Sequence, residues 1–189
     1  MNIWTCNHCG AKNRVPSDKE GTAKCGRCGQ VLTRPREAEA AGEKLTLRCG
    51  QCRAKNRVPA AKLQEGPKCG RCGAALECRG LTNGRTVMVT DADFDAKVLR
   101  SPLPVLLYAW APWCSVCSGT GPMVEQLAQT VKGKVRVAKV NIDANPRLAQ
   151  HYNILSVPAF FIFDGGELKL HIPGAVPAHD LMLKLAPFI

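Results

Sequence analysis

Ten of the chain's eleven cysteines fall into five Cys-x-x-Cys pairs: Cys6/Cys9, Cys25/Cys28, Cys49/Cys52, Cys69/Cys72 and Cys114/Cys117. Only Cys78 stands alone. A two-residue gap lets two sulfurs face one metal ion or meet each other, so every pair is a candidate for metal ligation or thiol–disulfide exchange. The first four pairs are themselves paired, with 15 residues between Cys9 and Cys25 and 16 between Cys52 and Cys69. Zn²⁺ takes four soft ligands in a tetrahedron, and each such quartet supplies four thiolates. The metal ligands expected are therefore Cys6, Cys9, Cys25 and Cys28 for one ion, and Cys49, Cys52, Cys69 and Cys72 for a second. Cys25/Cys28 and Cys49/Cys52, 20 residues apart, form another permissible quartet. The repeat described below favours pairing within each copy. His8 lies between two ligands, but four cysteines already satisfy an ion, and it reads as a surface histidine. Cys78 lies outside both frames and reads as a free thiol.

The fifth pair is left for redox chemistry, because Cys114, Cys117 and Cys78 are too few for a third four-cysteine site. An apolar run precedes Cys114 and a long helical stretch follows it. A thiol at a helix N-terminus lies near unpaired backbone N–H groups and the positive end of the helix dipole. That lowers its pKa and makes a thiolate available near neutral pH. Cys114 is thus the expected nucleophile, and Cys117, one turn further in, the resolving thiol of a mixed disulfide.

The elements that must hold these groups are of two kinds. Residues 6–16 recur at 49–59, as Cys-x-x-Cys-x-Ala-Lys-Asn-Arg-Val-Pro, and each copy closes with Lys-Cys-Gly-Arg-Cys-Gly, at 24–29 and 68–73. Between the copies, Thr33 to Lys44 is charged and Ala-rich and reads as a linker. Large hydrophobes are sparse across residues 1–79, too few to offset the entropy of ordering two modules, so each module needs a staple. In a reducing compartment that staple is metal, worth about 10 kcal/mol or more per structural site.

From about Gly80 the pattern changes to alternating strands and helices. Strands are expected at Thr86–Val89, Pro104–Ala111, Val135–Ile142, Ala159–Phe163 and Glu167–Ile172. Helices are expected at Asp91–Arg100 with Asp91 as its cap, from about Cys114 to Val131, at Pro146–Tyr152 and at Pro177–Pro187. Asp164-Gly165-Gly166 reads as a hairpin turn. Such alternation with a terminal hairpin predicts an α/β sandwich around a mixed sheet.

The 189 residues are 46% hydrophobic and 22% charged, the composition of a soluble globular protein. Met1 to Trp4 runs straight into Cys6 without the pattern of a signal peptide. The longest near-apolar run, Pro102–Trp113, is too short to span a bilayer. A cytoplasmic location follows, where thiols stay reduced and permanent disulfides are not the account of eleven cysteines.

The second half resembles a thioredoxin over about 105 residues. Trp110-Ala-Pro-Trp113-Cys114-x-x-Cys117 is similar to that family's active-site signature, and Pro122 stands where the family kinks its second helix. Val140 to Pro146 resembles the third strand and the turn after it. Val157-Pro158 matches the position of the family's cis-proline, and Lys139 and Gly174 fall on familiar positions. With Cys6–Leu32 in front, the chain resembles the bacterial zinc-binding thioredoxins of the thioredoxin-2 type. The resemblance implies a thioredoxin fold, a mixed central sheet flanked by helices, preceded by two small four-cysteine zinc-ribbon-like modules. The implied order is zinc module 1 at 1–33, a linker at 34–45, zinc module 2 at 46–79 and a thioredoxin-like domain at 80–189. It also implies roles for Trp113 in shaping the docking surface, for Pro158 in holding substrate backbone, and for Lys139 near the resolving thiol.

Three departures bear on the chemistry. The family pattern has one zinc module and this chain two. Ser115-Val116 replaces Gly-Pro between the active cysteines, which shifts expectation toward a more oxidising pair. Tyr108 occupies the place of a buried aspartate thought to deprotonate the resolving thiol. A phenol with a pKa of about 10 is a poor base at pH 7, so slower turnover is expected, with Cys117 depending on water or on Lys139.

The expected function is reduction of protein disulfides, with disulfide-bearing client proteins as partners, thioredoxin reductase for recycling, and two structural zinc ions. The competing readings are a zinc-ribbon binding module and a redox-sensing holdase. Residues 1–79 carry sixteen Lys/Arg against seven Asp/Glu, and residues 80–189 ten against eight. That basic first half invites nucleic acid. Eight thiolates and two Zn²⁺ together carry −4, however, and Trp4 is the only aromatic there, too little for base stacking. Nucleic acid is therefore not the expected partner, and low apolar content argues against a holdase.

Overall fold

A computed structural model of the chain describes residues 2–6, 8–15, 23–32 and 44–189. The linker expected at 34–45 lies, apart from Lys44 and Leu45, outside the described residues. The chain divides into two compact units, Met1–Lys44 with Val58–Leu63, and Leu45–Arg57 with Gln64–Ile189.

In the first unit β1 (Asn2–Thr5) pairs antiparallel with β2 (Lys12–Val15), Thr5 opposite Lys12, so that the Cys6–Cys9 knuckle is the turn of a hairpin. An isolated bridge from Lys24 to Val31 frames the second knuckle in the same way. Trp4, Val15 and Leu32 pack with Cys6 and Cys25 into a core too small to hold a fold without help. The second copy repeats the plan, with β3 (Lys44–Arg48), β4 (Lys55–Pro59) and a bridge from Lys68 to Ala75.

The rest of the second unit is a five-stranded sheet ordered β5-β7-β6-β8-β9, built from Val87–Met88, Arg136–Asn141, Val105–Trp110, Ala159–Asp164 and Glu167–Pro173. β5, β7 and β6 run parallel, β8 runs antiparallel to β6 and β9 antiparallel to β8, which is the mixed sheet expected. Central β6 reads Val-Leu-Leu-Tyr-Ala because both its faces are covered, and alternate residues serve opposite cores. Leu106 and Tyr108 face Val124, Leu127, Leu181 and Leu185. These come from α1 (Ser115–Thr130) and α3 (Ala178–Leu185). Val105, Leu107 and Ala109 face Phe94, Val98, Leu148 and Ile154. Each fully buried aliphatic side chain contributes about 2 kcal/mol. Along α1 the buried positions Cys117, Thr120, Val124, Leu127 and Ala128 keep helical spacing, and the helix runs through Pro122.

Two elements differ from expectation. The helix expected over Asp91–Arg100 is a turn followed by a π-helical turn at Asp95–Leu99. Asp91 does not cap it. Its carboxylate accepts instead from the N–H groups of Arg147 and Leu148, at 3.3 and 3.0 Å, at the start of α2 (Pro146–His151). A capping carboxylate satisfies orphan amides wherever the fold brings them, and sequence distance does not decide which helix it serves. The hairpin turn between β8 and β9 forms as expected, with Asp164 opposite Glu167. Gly165 and Gly166 have φ of 63° and 86°, the left-handed pair that two-residue hairpins require.

Candidate functional site

β6 ends at Trp110, and four residues later Cys114 sits extended (φ −82°, ψ 102°) at the N-cap of α1. Its Sγ accepts a hydrogen bond from the Cys117 N–H at 3.1 Å. Cys114 and Cys117 are joined as a disulfide, with Cα atoms 5.2 Å apart. A sulfur that caps a helix in the oxidised state stays within reach of the same amide and dipole when reduced, which favours its thiolate.

The peptide bond Val157–Pro158 is cis, and the Val157 carbonyl oxygen lies 3.5 Å from Cys114 Sγ. Below the pair is a cleft of about 270 Å³ lined by Tyr108, Trp110, Cys114, Cys117 and Lys139 among others. Cys114 and Cys117 at the start of α1, Lys139 on β7 and the Val157–Pro158 bond thus converge from three segments. Trp113 is two-thirds exposed beside the pair, and its Nε1 donates to the Asp143 carboxylate at 3.2 Å.

Tyr108 is buried, stacks on Phe160 and donates its hydroxyl to the Cys117 carbonyl at 3.2 Å. Burial pushes its pKa above the ordinary phenol value, so it remains a donor. Sequence reasoning missed the partner of Lys139. Its ammonium meets the Glu125 carboxylate from α1 at 2.6 Å, and the Thr86 hydroxyl donates to the same oxygen at 2.8 Å. A lysine amid Val137, Ala138 and Val140 signals that a counter-charge is needed, but nothing local says which acid supplies it.

In each four-cysteine group all sulfurs lie within 4.8 Å of one another. The nearest pairs, Cys6–Cys28, Cys9–Cys25, Cys49–Cys72 and Cys52–Cys69, are each at 3.6 Å. A tetrahedron with Zn–S bonds of about 2.3 Å has edges of about 3.8 Å, so both groups fit such an ion. The grouping follows the repeat, within each copy.

The asparagine of the repeated motif has a defined place. Asn13 Oδ1 accepts from Gly26 N at 2.9 Å, and its Nδ2 lies 3.5 Å from Cys25 Sγ. Asn56 does the same with Gly70 N at 2.9 Å and Cys69 Sγ at 3.6 Å. The backbone N–H groups of Arg27 and Cys28 bring the Cys25 thiol down to about 6, and those of Cys72 and Arg71 do so for Cys69. Trp4 is buried in its module's core, so residues 1–79 present no exposed aromatic ring among the described residues.

Two family models match the chain. A family model described as Thioredoxin matches residues 85–186. A second, described as Thioredoxin 2, N-terminal, matches twice, at 5–30 and 48–74. Thioredoxin 1 of Nostoc sp. is 47% identical over 93 residues, 49% of this chain and 87% of that protein. The thioredoxin of Synechocystis sp. is 43% identical over 104 residues, covering 55% and 97% respectively. Chloroplastic thioredoxin M4 of Arabidopsis thaliana is 44% identical over 101 residues, 53% of this chain and 52% of that protein.

Proposed function

This chain belongs to the thioredoxin family as a thiol–disulfide oxidoreductase, and from that premise we propose that it reduces protein disulfides with Cys114 as nucleophile and Cys117 as resolving thiol. The observation that carries the assignment is Cys114 Sγ at the N-cap of α1, hydrogen-bonded to the Cys117 N–H. The Cys114 thiolate attacks one sulfur of a client disulfide, and the client's other sulfur leaves as a thiolate that takes a proton. Cys117, deprotonated, then attacks Cys114 Sγ, and the second client thiol departs. Two electrons and two protons have moved to the client, and Cys114–Cys117 is left as the disulfide that the structure holds. Thioredoxin reductase is the proposed source of electrons for recycling. The Val157–Pro158 segment, with its Val157 carbonyl 3.5 Å from Cys114 Sγ, is the proposed guide for client backbone, and exposed Trp113 the proposed rim of the docking surface. Lys139, paired with Glu125, sets the charge at the cleft beneath Cys117.

Each four-cysteine group is proposed to hold one Zn²⁺, since soft thiolates in a tetrahedral set select that ion over Mg²⁺ or Ca²⁺. Each ion when bound supplies a cross-link that the small cores lack. So many unbridged cysteines fit a reducing, cytoplasmic setting. No helix among the described residues is long and apolar enough to cross a membrane. With Trp4 buried, the zinc modules offer no exposed aromatic ring for base stacking among the described residues.

The test is reduction of a disulfide-bonded protein by the dithiothreitol-charged chain. Cys114→Ser abolishes it, and Cys117→Ser accumulates a mixed disulfide with the client. Wild-type activity in Cys114→Ser removes the mechanism. A potential for the pair near about −270 mV assigns a reductase, whereas one nearer about −180 mV assigns an isomerase or oxidant.

A further inference from the structure

The two zinc modules share a sequence plan but differ at two positions that matter. Every Cys-x-x-Cys knuckle closes with the N–H of the residue after its second cysteine donating to the carbonyl of the first, at 2.9–3.0 Å. In three knuckles the closing residue is a glycine in the left-handed region: Gly10 (φ 71°), Gly29 (73°) and Gly73 (73°). In the fourth it is Arg53, at φ 59°. A side chain is strained there, and such strain persists only where the surroundings hold it. The residue before the first cysteine also changes, from Thr5 in the first copy to Arg48 in the second.

Both arginines grip the thioredoxin-like part of their own compact unit. The Arg48 guanidinium meets the Asp164 carboxylate through two bonds, Nε to Oδ1 at 3.0 Å and Nη2 to Oδ2 at 2.6 Å, with both side chains largely buried. The Arg48 backbone N–H donates to the Pro102 carbonyl at 2.7 Å. Arg53 Nη1 donates to the Leu99 carbonyl at 2.5 Å. The β8–β9 turn is shaped to receive them. A Cβ on Gly166 would stand 2.7 Å from Arg53 Nη2 and 2.8 Å from the Leu99 oxygen, and one on Gly165 3.8 Å from the Arg48 guanidinium. Threonine and glycine at these positions offer no guanidinium, so the first copy cannot make this grip.

We propose that the duplicated modules have divided their roles. The second is a metal-dependent brace of the catalytic domain: Arg48 and Arg53, each next to a metal-ligating cysteine, couple occupancy of the Cys49/Cys52/Cys69/Cys72 site to the order of the β8–β9 hairpin. The ion fixes the knuckle, the knuckle fixes both guanidinium groups, and these hold the hairpin and the Leu99–Pro102 segment together. The first module, with Thr5 and Gly10, carries no such coupling. This inference rests on the zinc reading above for its metal step, but the arginine grip stands apart from it.

The experiment uses the full chain, with zinc content measured alongside amide hydrogen exchange of residues 164–167. Removing the second site with Cys69→Ser and Cys72→Ser raises hairpin exchange at least tenfold, whereas Cys25→Ser with Cys28→Ser leaves it within twofold. Arg48→Thr with Arg53→Gly writes the first copy's residues into the second. It raises hairpin exchange to the same degree while zinc stays at two ions per chain. Asp164→Asn, which keeps the hairpin's shape, gives an intermediate rise should that double variant fold poorly. An equal response to loss of either site, or slow exchange retained in both the double arginine variant and Asp164→Asn, overturns the proposal. Fewer than two ions in the wild-type chain overturns the zinc reading and the metal coupling, and the grip is then judged on the arginine variants alone.

Discussion

At Tyr108 the departure expected from the thioredoxin resemblance becomes specific in the geometry. The residue lines the cleft beside Cys117, where a proton acceptor would be useful, yet burial raises its pKa and its hydroxyl is committed to the Cys117 carbonyl. A donor so placed positions the first turn of α1 and does not take the resolving thiol's proton. Tyr108→Phe therefore costs about 1 kcal/mol of stability, the worth of one buried hydrogen bond, measured by urea denaturation. The pH dependence of client reduction stays where it was; a shift of its basic limb would show that the phenol titrates in the mechanism. The pairing of Cys114 with Cys117 and the two cysteine quartets that the structure groups were legible from Cys-x-x-Cys spacing together with the repeat, because ligation and disulfide geometry constrain both tightly. The roles of Asn13 and Asn56 were not. The repeat marked these residues, but only the folded knuckle brings an amide to a sulfur and a backbone N–H twelve to fourteen residues away.

Among the elements, those with long apolar periodicity were legible. β6, β7, β8 and α1 each carry a run of apolar residues long enough to mark a buried element, and the structure has them within a residue or two of expectation. The segment around Asp95 was not, because Asp91 and Asp93 compete for backbone amides and the outcome depends on α2, some fifty residues on. The Lys139–Glu125 pair, which ties β7 to α1, is a second long-range choice of this kind. Burial works against the Glu125 carboxylate, but hydrogen bonds from Lys139 and Thr86 outweigh it and hold its pKa below the ordinary glutamate value. A depressed carboxylate pKa stabilises the fold above the unfolded value of about 4.3, and that contribution is lost as pH falls through the folded value. Glu125→Gln therefore lowers stability at pH 7 by at most about 1 kcal/mol, since the pair is partly solvated. The gap to wild type closes below about pH 4. Urea midpoints at pH 7 and pH 3.5 check this, and a gap unchanged at low pH would assign the loss to packing.

On the scale of the whole molecule, the question is what the residues in front of the sheet contribute. The Nostoc thioredoxin, 87% of which is matched by 93 residues of this chain, has no room for two such modules. The reaction should accordingly reside in the thioredoxin-like part alone. A chain shortened to Lys44–Ile189 keeps the second module, with Arg48 and Arg53, whereas one shortened to Leu81–Ile189 loses both arginines. Both should fold and reduce protein disulfides within about threefold of the full chain, since no cysteine of the reacting pair is touched and a threefold change is less than 1 kcal/mol of barrier. They should differ in stability. In the shorter chain Asp164 gives up a paired, largely buried guanidinium for water, a loss of about 1 kcal/mol and about 5 °C in melting temperature. Calorimetry on the two shortened chains, oxidised and zinc-loaded where they bind it, measures that difference directly. Equal melting temperatures would reduce the arginine contacts to a surface feature. A folded Leu81–Ile189 without activity would make the residues in front of it participants in the reaction, because the proposed reacting thiols, the cleft and the Val157–Pro158 segment all remain in it.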